Sequence, residues 1–164
     1  LFLNVNHSSE CLMVNILGTY ECKVDSKGRF MFPVQFKGQL GEAVKQGMVI
    51  KRSIFKQCLE LFPMENWREE SLLVNKLNMF KKKNAEFATK FMAGVKPLEL
   101  DGTGRLLIPK DLISYSSITK EIVLTSVVNR IEIWDKSAYE VAVEYNPDDF
   151  ADLAEEVMGE FETE

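Results

Sequence analysis

DSKGRFMFP, at residues 25–33, returns with the same pattern as DGTGRLLIP at residues 101–109. Asp, Gly, Arg and Pro occupy matching positions in the two copies, which are offset by 76 residues. The match extends outward, since Gly18 aligns with Gly94 and, at an offset of 72, CLELFPMENW (58–67) resembles RIEIWDKSAY (130–139). Two copies of one supersecondary unit predict a fold with internal pseudo-symmetry.

Each copy has the pattern of a β-hairpin followed by a short helix. TYECKV and VKPLEL alternate as strands do, and RFMF and RLLI are the returning strands. Asp followed three positions later by Gly is typical of a type I turn, and glycine tolerates the left-handed conformation needed at the return. The proline that ends each copy suits the first turn of a helix. We therefore predict two hairpin tips with four turn-shaping residues: Asp25, Gly28, Asp101 and Gly104.

The remaining segments predict further strands and three longer helices. GMVIKRS and EIVLTSV are apolar strands, and CLELF and RIEIW close the two units. Apolar residues at helical spacing predict two helices between the units, the second ending at Gly94. A third helix is predicted from Pro147, with acids in its first turn and an apolar stripe that reaches Phe161.

The charge of the chain is unevenly distributed. The formal net charge is −5, but residues 135–164 carry eleven Asp or Glu against Lys136 alone, a net of −10. Residues 1–134 therefore carry a net of +5. The basic body suits a nucleic-acid partner, which the overall charge conceals.

Several classes of protein are disfavoured by the composition. Cys11, Cys22 and Cys58 are odd in number and form no CxxC pair, which argues against a disulfide framework and a zinc site and fits a reducing cytoplasm. No apolar run approaches the roughly 20 residues of a membrane span. We expect no metal, no cofactor and no membrane partner.

The sequence offers few candidate catalytic residues. The only histidine is His7, and no nucleophile-elbow, P-loop or dinucleotide motif is present. Asp25 and Asp101 raise the alternative of an aspartic-protease dyad, but the sequences DSKG and DGTG lack the Asp-Thr-Gly or Asp-Ser-Gly of such sites. We predict that the protein is not an enzyme and has no catalytic residues.

The hairpin tips are the candidate binding elements. They present Lys27 and Arg29 in the first copy, and Thr103 and Arg105 in the second. Arginine binds phosphates and guanine edges in a bidentate manner, and a hairpin is slim enough to enter a major groove. The alternative is structural: the Asp accepts backbone N–H bonds within the turn, and the Arg pairs with it.

Together, LGTYECKVDSKGRFMFP, LELDGTGRLLIP, ITKEIVLTSV and RIEIWDKSAYE resemble the MraZ family of bacterial transcriptional regulators, over roughly Met13 to Phe161. The resemblance implies an α+β, mainly β fold, in which two AbrB-like swapped-hairpin units form one pseudo-two-fold, double-psi-type β-barrel with peripheral helices. The units would span residues 13–67 and 95–139, joined by a helical connector at 68–94. Residues 1–12 are expected to be a disordered extension and residues 140–164 an acidic C-terminal helix.

The resemblance also implies a function. Members form ring-like homo-oligomers and bind double-stranded DNA at repeated boxes upstream of their own division and cell-wall gene cluster, usually as repressors. Carried over, the DNA-binding residues are Lys27, Arg29, Thr103 and Arg105, in a cytoplasmic, nucleoid-associated protein. Thr103 replaces a lysine at the second tip, so equal use of the two tips is not expected. The alternative is an oligomeric scaffold or protein-interaction module that works through its C-terminal helix.

Overall fold

The computed structural model describes residues 14–162. The expectation for residues 1–12 therefore lies outside the described residues. Residues 14–162 form eight strands: β1 (Thr19–Lys23), β2 (Arg29–Met31), β3 (Met48–Arg52), β4 (Leu59–Pro63), β5 (Lys96–Leu98), β6 (Arg105–Leu107), β7 (Glu121–Val127) and β8 (Arg130–Asp135). The α-helices of the described residues are α1 (Val34–Leu40), α2 (Met64–Asn75), α3 (Lys82–Phe91), α4 (Lys110–Ser116), α5 (Lys136–Ala142) and α6 (Pro147–Gly159).

The strands of the two repeats are interleaved. Six of them form an antiparallel sheet in the order β1-β7-β8-β4-β3-β5, and the return strands β2 and β6 pair with each other in a separate two-stranded ribbon. The order is unchanged when each strand is exchanged with its counterpart in the other repeat, which agrees with the predicted pseudo-symmetry. Each hairpin therefore pairs with the opposite repeat, since β1 lies beside β7 and β5 lies beside β3.

The observed architecture is a mixed one, with a mostly antiparallel sheet and six α-helices in the described chain. The sheet is open, because β1 and β5 are its edges and the ribbon is a separate sheet, so the described strands form no closed barrel. The AbrB-like swapped-hairpin barrel stays a prediction, as do the domain boundaries. Pro97 lies in edge strand β5. Because it is at the edge, its lack of an N–H group removes no hydrogen bond between central strands.

The hydrophobic core lies between the inner face of the large sheet, the ribbon and helices α1 and α4. Phe30 and Leu106 fill it from the ribbon, and Phe36 and Leu112 fill it from the two helices. Both helices begin directly after the prolines at 33 and 109, as predicted. The core thus fixes the ribbon and the hairpin tips to the rest of the molecule.

A buried ionic cluster lies on the other face of the central strands. Glu60 of β4 and Glu132 of β8 are direct register partners and are almost fully buried. Arg130 bonds Glu60 at 2.5 Å and Glu70 of α2 at 2.8 Å. Lys51 lies 3.4 Å from Glu60, and Lys56 lies 2.5 Å from Glu132. Three acids are thereby paired with three bases. This pairing offsets the cost of burying the carboxylates of Glu60 and Glu132 side by side.

Two elements were not predicted from the sequence. A 3₁₀ helix at Gly41–Gln46 follows α1, and α5 begins directly after β8. This 3₁₀ helix of the first repeat has no counterpart in the second, where α4 is followed by a short turn into β7.

Candidate nucleic-acid interface

The first hairpin tip is organised around the carboxylate of Asp25. One oxygen, Oδ1, accepts hydrogen bonds from the backbone N–H groups of Lys27 and Arg29, both at 2.9 Å. The other, Oδ2, accepts from Arg29 Nε at 2.8 Å. The N–H of Gly28 donates to the Asp25 carbonyl at 3.0 Å, which closes the predicted turn. The aspartate is therefore a structural centre of the tip.

The second tip repeats this arrangement around Asp101. Its Oδ1 accepts from the backbone N–H groups of Thr103 and Arg105 at 2.9 Å, and its Oδ2 accepts from Arg105 Nε at 2.9 Å. The Thr103 hydroxyl also donates to Oδ1, at 2.8 Å. The side chain of Thr103 is thus engaged within the turn, whereas Lys27 bonds Asp25 through its backbone alone.

These contacts act on the acidity of both aspartates. The backbone N–H of Arg29, together with its side chain, holds the pKa of Asp25 below its usual value. The backbone N–H of Arg105 and the Thr103 hydroxyl do the same to the pKa of Asp101. A dyad that shares one proton needs one raised pKa. The geometry therefore gives the aspartic-dyad alternative no support.

Left-handed glycines make both tips possible. Gly28 has φ +89° and Gly104 has φ +83°, a region where side chains are strained. The two positions differ in space, because a Cβ on Gly28 would lie 2.8 Å from the Ile108 carbonyl oxygen, whereas one on Gly104 would lie no closer than 3.7 Å to its surroundings. All four predicted turn-shaping residues are thus in the turns, although the first tip is the more tightly packed.

The ribbon places the two tip arginines on one surface. In the antiparallel β2–β6 pair, Arg29 is opposite Leu107 and Met31 is opposite Arg105. Directly paired residues project to the same face, so these four side chains share it, while Phe30 and Leu106 project inward. From strand geometry the two arginine Cα atoms are ~8 Å apart. Sequence reasoning missed Met31 and Leu107, although the alternation of RFM and RLL would have indicated them.

Each arginine is held on one side and open on the other. The guanidinium of Arg29 bonds Asp25 through Nε, and that of Arg105 bonds Asp101 in the same way. Within residues 14–162, the terminal Nη groups of these two arginines have no hydrogen-bond partner. A guanidinium has five N–H donors, so four remain for a ligand at each tip. The structural pairing and a binding role are therefore compatible.

Other kinds of site find little support in the described chain. Between residues 14 and 162 no group of three or more His, Cys, Asp and Glu side chains could hold a metal ion. Burial raises the pKa of Cys22 to about 11 and that of Cys58 to about 12, which disfavours reactive thiolates. None of the helices described here is long and apolar enough to cross a membrane.

Comparison with known proteins agrees with the internal repeat. The family model described as "MraZ protein, putative antitoxin-like" matches the chain twice, at residues 16–89 and 91–161. The chain belongs to the MraZ family. Each match to the MraZ model contains one complete Asp-to-Arg hairpin, so the family description and the internal repeat coincide.

Curated MraZ relatives extend over nearly the whole chain. Proteins named "Transcriptional regulator MraZ" from Christiangramia forsetii and Flavobacterium psychrophilum are 58% and 59% identical to it over 147 residues. Those alignments cover 90% of this chain and 95% and 94% of the relatives. The relative of the same name from Bacteroides fragilis is 34% identical over 149 residues, which is 90% of this chain and 94% of that protein.

Proposed function

We propose that this chain is a transcriptional regulator that binds double-stranded DNA through its two arginine hairpins. One observation carries the proposal: two arginines, each anchored through Nε to its own aspartate, lie on one exposed ribbon face with their Nη groups unbonded in the described chain. A two-stranded ribbon fits the major groove, and a guanidinium there binds guanine O6 and N7 or a phosphate. The names of the MraZ relatives support a regulatory role.

We further propose unequal roles for the tips. Lys27 and Arg29 outweigh Asp25, so the first tip is net positive, whereas Arg105 only balances Asp101. Lys27 is exposed, while the Thr103 hydroxyl donates to Asp101. Arg29 and Lys27 are therefore proposed as the main contacts, with Arg105 weaker and Thr103 limited to a close approach through its methyl or backbone.

The resemblance to the family supports a finer proposal. The protein would act in the cytoplasm, on the nucleoid, as a repressor at repeated boxes upstream of its own division and cell-wall gene cluster. A single tip offers few contacts, and several subunits on repeated boxes would supply the missing affinity by avidity.

We propose that a ring-like homo-oligomer provides those subunits. Helix α6 exposes an apolar stripe of Phe150, Leu153, Val157 and Met158, which Phe161 continues in the 3₁₀ turn after it. The α2–α3 region exposes Leu73, Met79, Phe80 and Phe87 beside three lysines at residues 81–83. Exposed apolar surface of this extent marks an interaction site. The acidic charge of α6 complements those lysines, so the second surface of a neighbouring copy is the proposed partner of α6.

The exposed α6 stripe also favours the alternative function, a scaffold that works through this helix. The two proposals differ in their response to DNA. A scaffold would show no salt-dependent binding to a duplex taken from upstream of its own gene, whereas a regulator would protect discrete boxes in a footprint of that duplex.

Arg29→Ala tests the proposed interface. Loss of a bidentate contact removes about 1–3 kcal/mol per site, and the loss recurs in every bound subunit, so affinity for the upstream duplex should fall more than tenfold. Arg105→Ala should weaken binding less, and Lys27→Ala should lower the salt slope by about one. Fluorescence anisotropy across a salt series measures all three, with Lys45→Ala, an exposed lysine of the 3₁₀ helix outside both the tips and the proposed subunit contact, as a charge-matched control.

Melting temperature and light scattering on the same variants decide the structural alternative. If Arg29→Ala is unfolded or smaller than the native oligomer, its role is to hold the turn with Asp25. Native affinity in a folded Arg29→Ala variant would equally contradict the interface.

A further inference from the structure

The exposed face of the β2–β6 ribbon is partly apolar. Phe30 and Leu106 project into the core from the other face, at 2% and 0% exposure. On the outer face, Met31 is 53% exposed and Leu107 is 51% exposed, each paired across the ribbon with an arginine. Two large apolar side chains are thus exposed next to two arginines. Binding of the arginines to phosphates alone would not require these apolar side chains.

Met31 and Leu107 are equivalent residues of the repeat, and each lies at the tip of the other hairpin. A Cβ built on Gly104 would lie 3.7 Å from Met31 Sδ, and one built on Gly28 would lie 3.6 Å from Leu107 Cδ1. The first tip therefore combines Arg29 with Leu107, and the second combines Arg105 with Met31. At each tip, the guanidinium of one hairpin therefore lies next to an apolar side chain of the other hairpin.

This pairing matches the chemistry of the major groove. Thymine alone among the DNA bases presents a methyl group there, and apolar side chains contact it. Arginine contacts guanine or phosphate in the same groove. An arginine and an apolar side chain on neighbouring strands lie ~5 Å apart at Cα, which suits bases one or two steps apart at ~3.4 Å per step.

We propose that Met31 and Leu107 are specificity-determining residues that contact thymine 5-methyl groups in the major groove, next to the groups bound by Arg29 and Arg105. The inference rests on the proposed function, since it requires that the ribbon face binds DNA. The charge of Arg29 and Arg105 on this face, with the exposed Lys27 in the adjoining turn, favours DNA over a second protein chain as its occupant.

Thymine-to-uracil replacement tests the proposal, because uracil pairs identically but lacks the methyl group. The region upstream of the chain's own gene is amplified with dTTP or with dUTP, and the full chain is titrated with each duplex. The wild type should bind the thymine duplex about fourfold more tightly for each methyl group contacted, which is the effect of burying one carbon. Met31→Ala and Leu107→Ala should each reduce this ratio, and the double variant should bring it close to one.

Control variants separate recognition from packing. Met31→Leu and Leu107→Met keep size and apolarity and should retain the ratio. Val128→Ala, at an 85% exposed position in the β7–β8 turn, should also retain it. Light scattering on Met31→Ala shows whether the face is instead covered by a second copy of the chain.

The outcomes are distinct. Tight binding to the upstream duplex with equal affinity for its uracil form overturns this inference and leaves the proposed function standing. So does an unchanged ratio in the double alanine variant, or a smaller oligomer together with an unchanged ratio. If the wild type binds neither duplex better than random DNA, the proposed function fails and the inference fails with it.

Discussion

At the scale of single residues, the aspartates give the tips their shape and the arginines give them their charge. Each aspartate accepts two backbone N–H bonds and one guanidinium bond, so a short loop is held by a single carboxylate. The arginine is oriented before any ligand arrives, which reduces the entropy lost on binding. The structural role of the pair therefore supports a binding role.

Asp25→Asn and Asp101→Asn should make the protein less sensitive to acid. The pKa of each carboxyl is lowered in the folded chain, so its contribution to stability is complete above the unfolded pKa of about 3.9 and is lost as the pH falls through the folded pKa. Each variant should melt at a lower temperature near pH 7 and show a shallower loss below about pH 4. Thermal melts across this range measure the change, with Glu99→Gln, at an exposed position between β5 and β6, as the control. Parallel curves for Asp25→Asn and wild type would refute it.

Gly28→Ala and Gly104→Ala form a matched pair. Both place a side chain at positive φ, which costs about 1–2 kcal/mol of unfolding free energy. Gly28→Ala in addition forces a Cβ to within 2.8 Å of the Ile108 carbonyl oxygen, while the Gly104 site has room. Chemical denaturation should therefore show Gly28→Ala as the more destabilised, by about 1 kcal/mol or more. Equal losses would mean that the two tips are packed alike.

At the scale of elements, the repeat made the strands and helices predictable. Period-two alternation and the Asp-x-x-Gly turn indicated both hairpins, and the prolines at 33 and 109 indicated the helices that follow. Each local signal occurred twice, so one copy supported the interpretation of the other. The predicted DNA-binding role of the four tip residues stays a prediction, because turn geometry alone does not identify a ligand.

The sequence was less informative about which strands pair between the two repeats and about which charged residues are buried. Nothing local in RFM or RLL indicates that these strands pair with each other, because that contact depends on the whole chain. Glu60 and Glu132 alternate with apolar residues and look like solvent-facing positions of a strand. The fall in offset from 76 to 72 means that the first repeat has four more residues than the second (76 − 72 = 4), and the register shows that they lie in two places. Pro33 precedes Pro109 by 76 residues, Ile50 precedes Leu124 by 74 and Leu61 precedes Ile133 by 72. Two of them lengthen the β3–β4 loop that carries Lys56.

The ionic cluster between β4 and β8 should respond unequally to neutralisation. Arg130→Met leaves Glu60 and Glu70 without their shared partner in a buried setting, which should cost about 3 kcal/mol of unfolding free energy. Glu132→Gln removes one of two adjacent negative charges and can still accept from Trp134 Nε1, while the half-exposed Lys56 turns to water. Its cost should stay below about 1 kcal/mol. Urea denaturation at neutral pH gives both values, and the reverse order would disprove this account.

At the scale of the whole molecule, charge and apolar surface are concentrated at the C-terminal end. Helix α6 is capped by Asn146, whose side chain accepts from the Asp148 N–H at 2.9 Å, and carries acids in its first turn. It is therefore a stable helix by local criteria, although its apolar stripe is exposed in the single chain.

Replacing that stripe with polar residues should dissociate the proposed homo-oligomer. Phe150→Ser together with Leu153→Ser removes two side chains that are half exposed in the single chain and would be buried in the proposed contact. Light scattering should show a mass lower than that of the wild type at the same concentration, with an unchanged melting profile at high dilution. Val128→Ser in the β7–β8 turn is the control. An unchanged mass in the α6 variant would exclude α6 from the subunit contact.

The exchange of strands between the repeats has a consequence for synthesis on the ribosome. When only the first repeat has emerged, β3 and β4 can pair, but β1 and β2 lack their strand partners until β7 and β6 follow. A message truncated between the repeats yields a polypeptide with unmatched edges rather than a smaller working regulator. Conversely, two separately expressed halves would complete one another only by meeting in solution. Because both repeats are in one polypeptide, their strands pair within one chain, and two separate subunits do not have to associate.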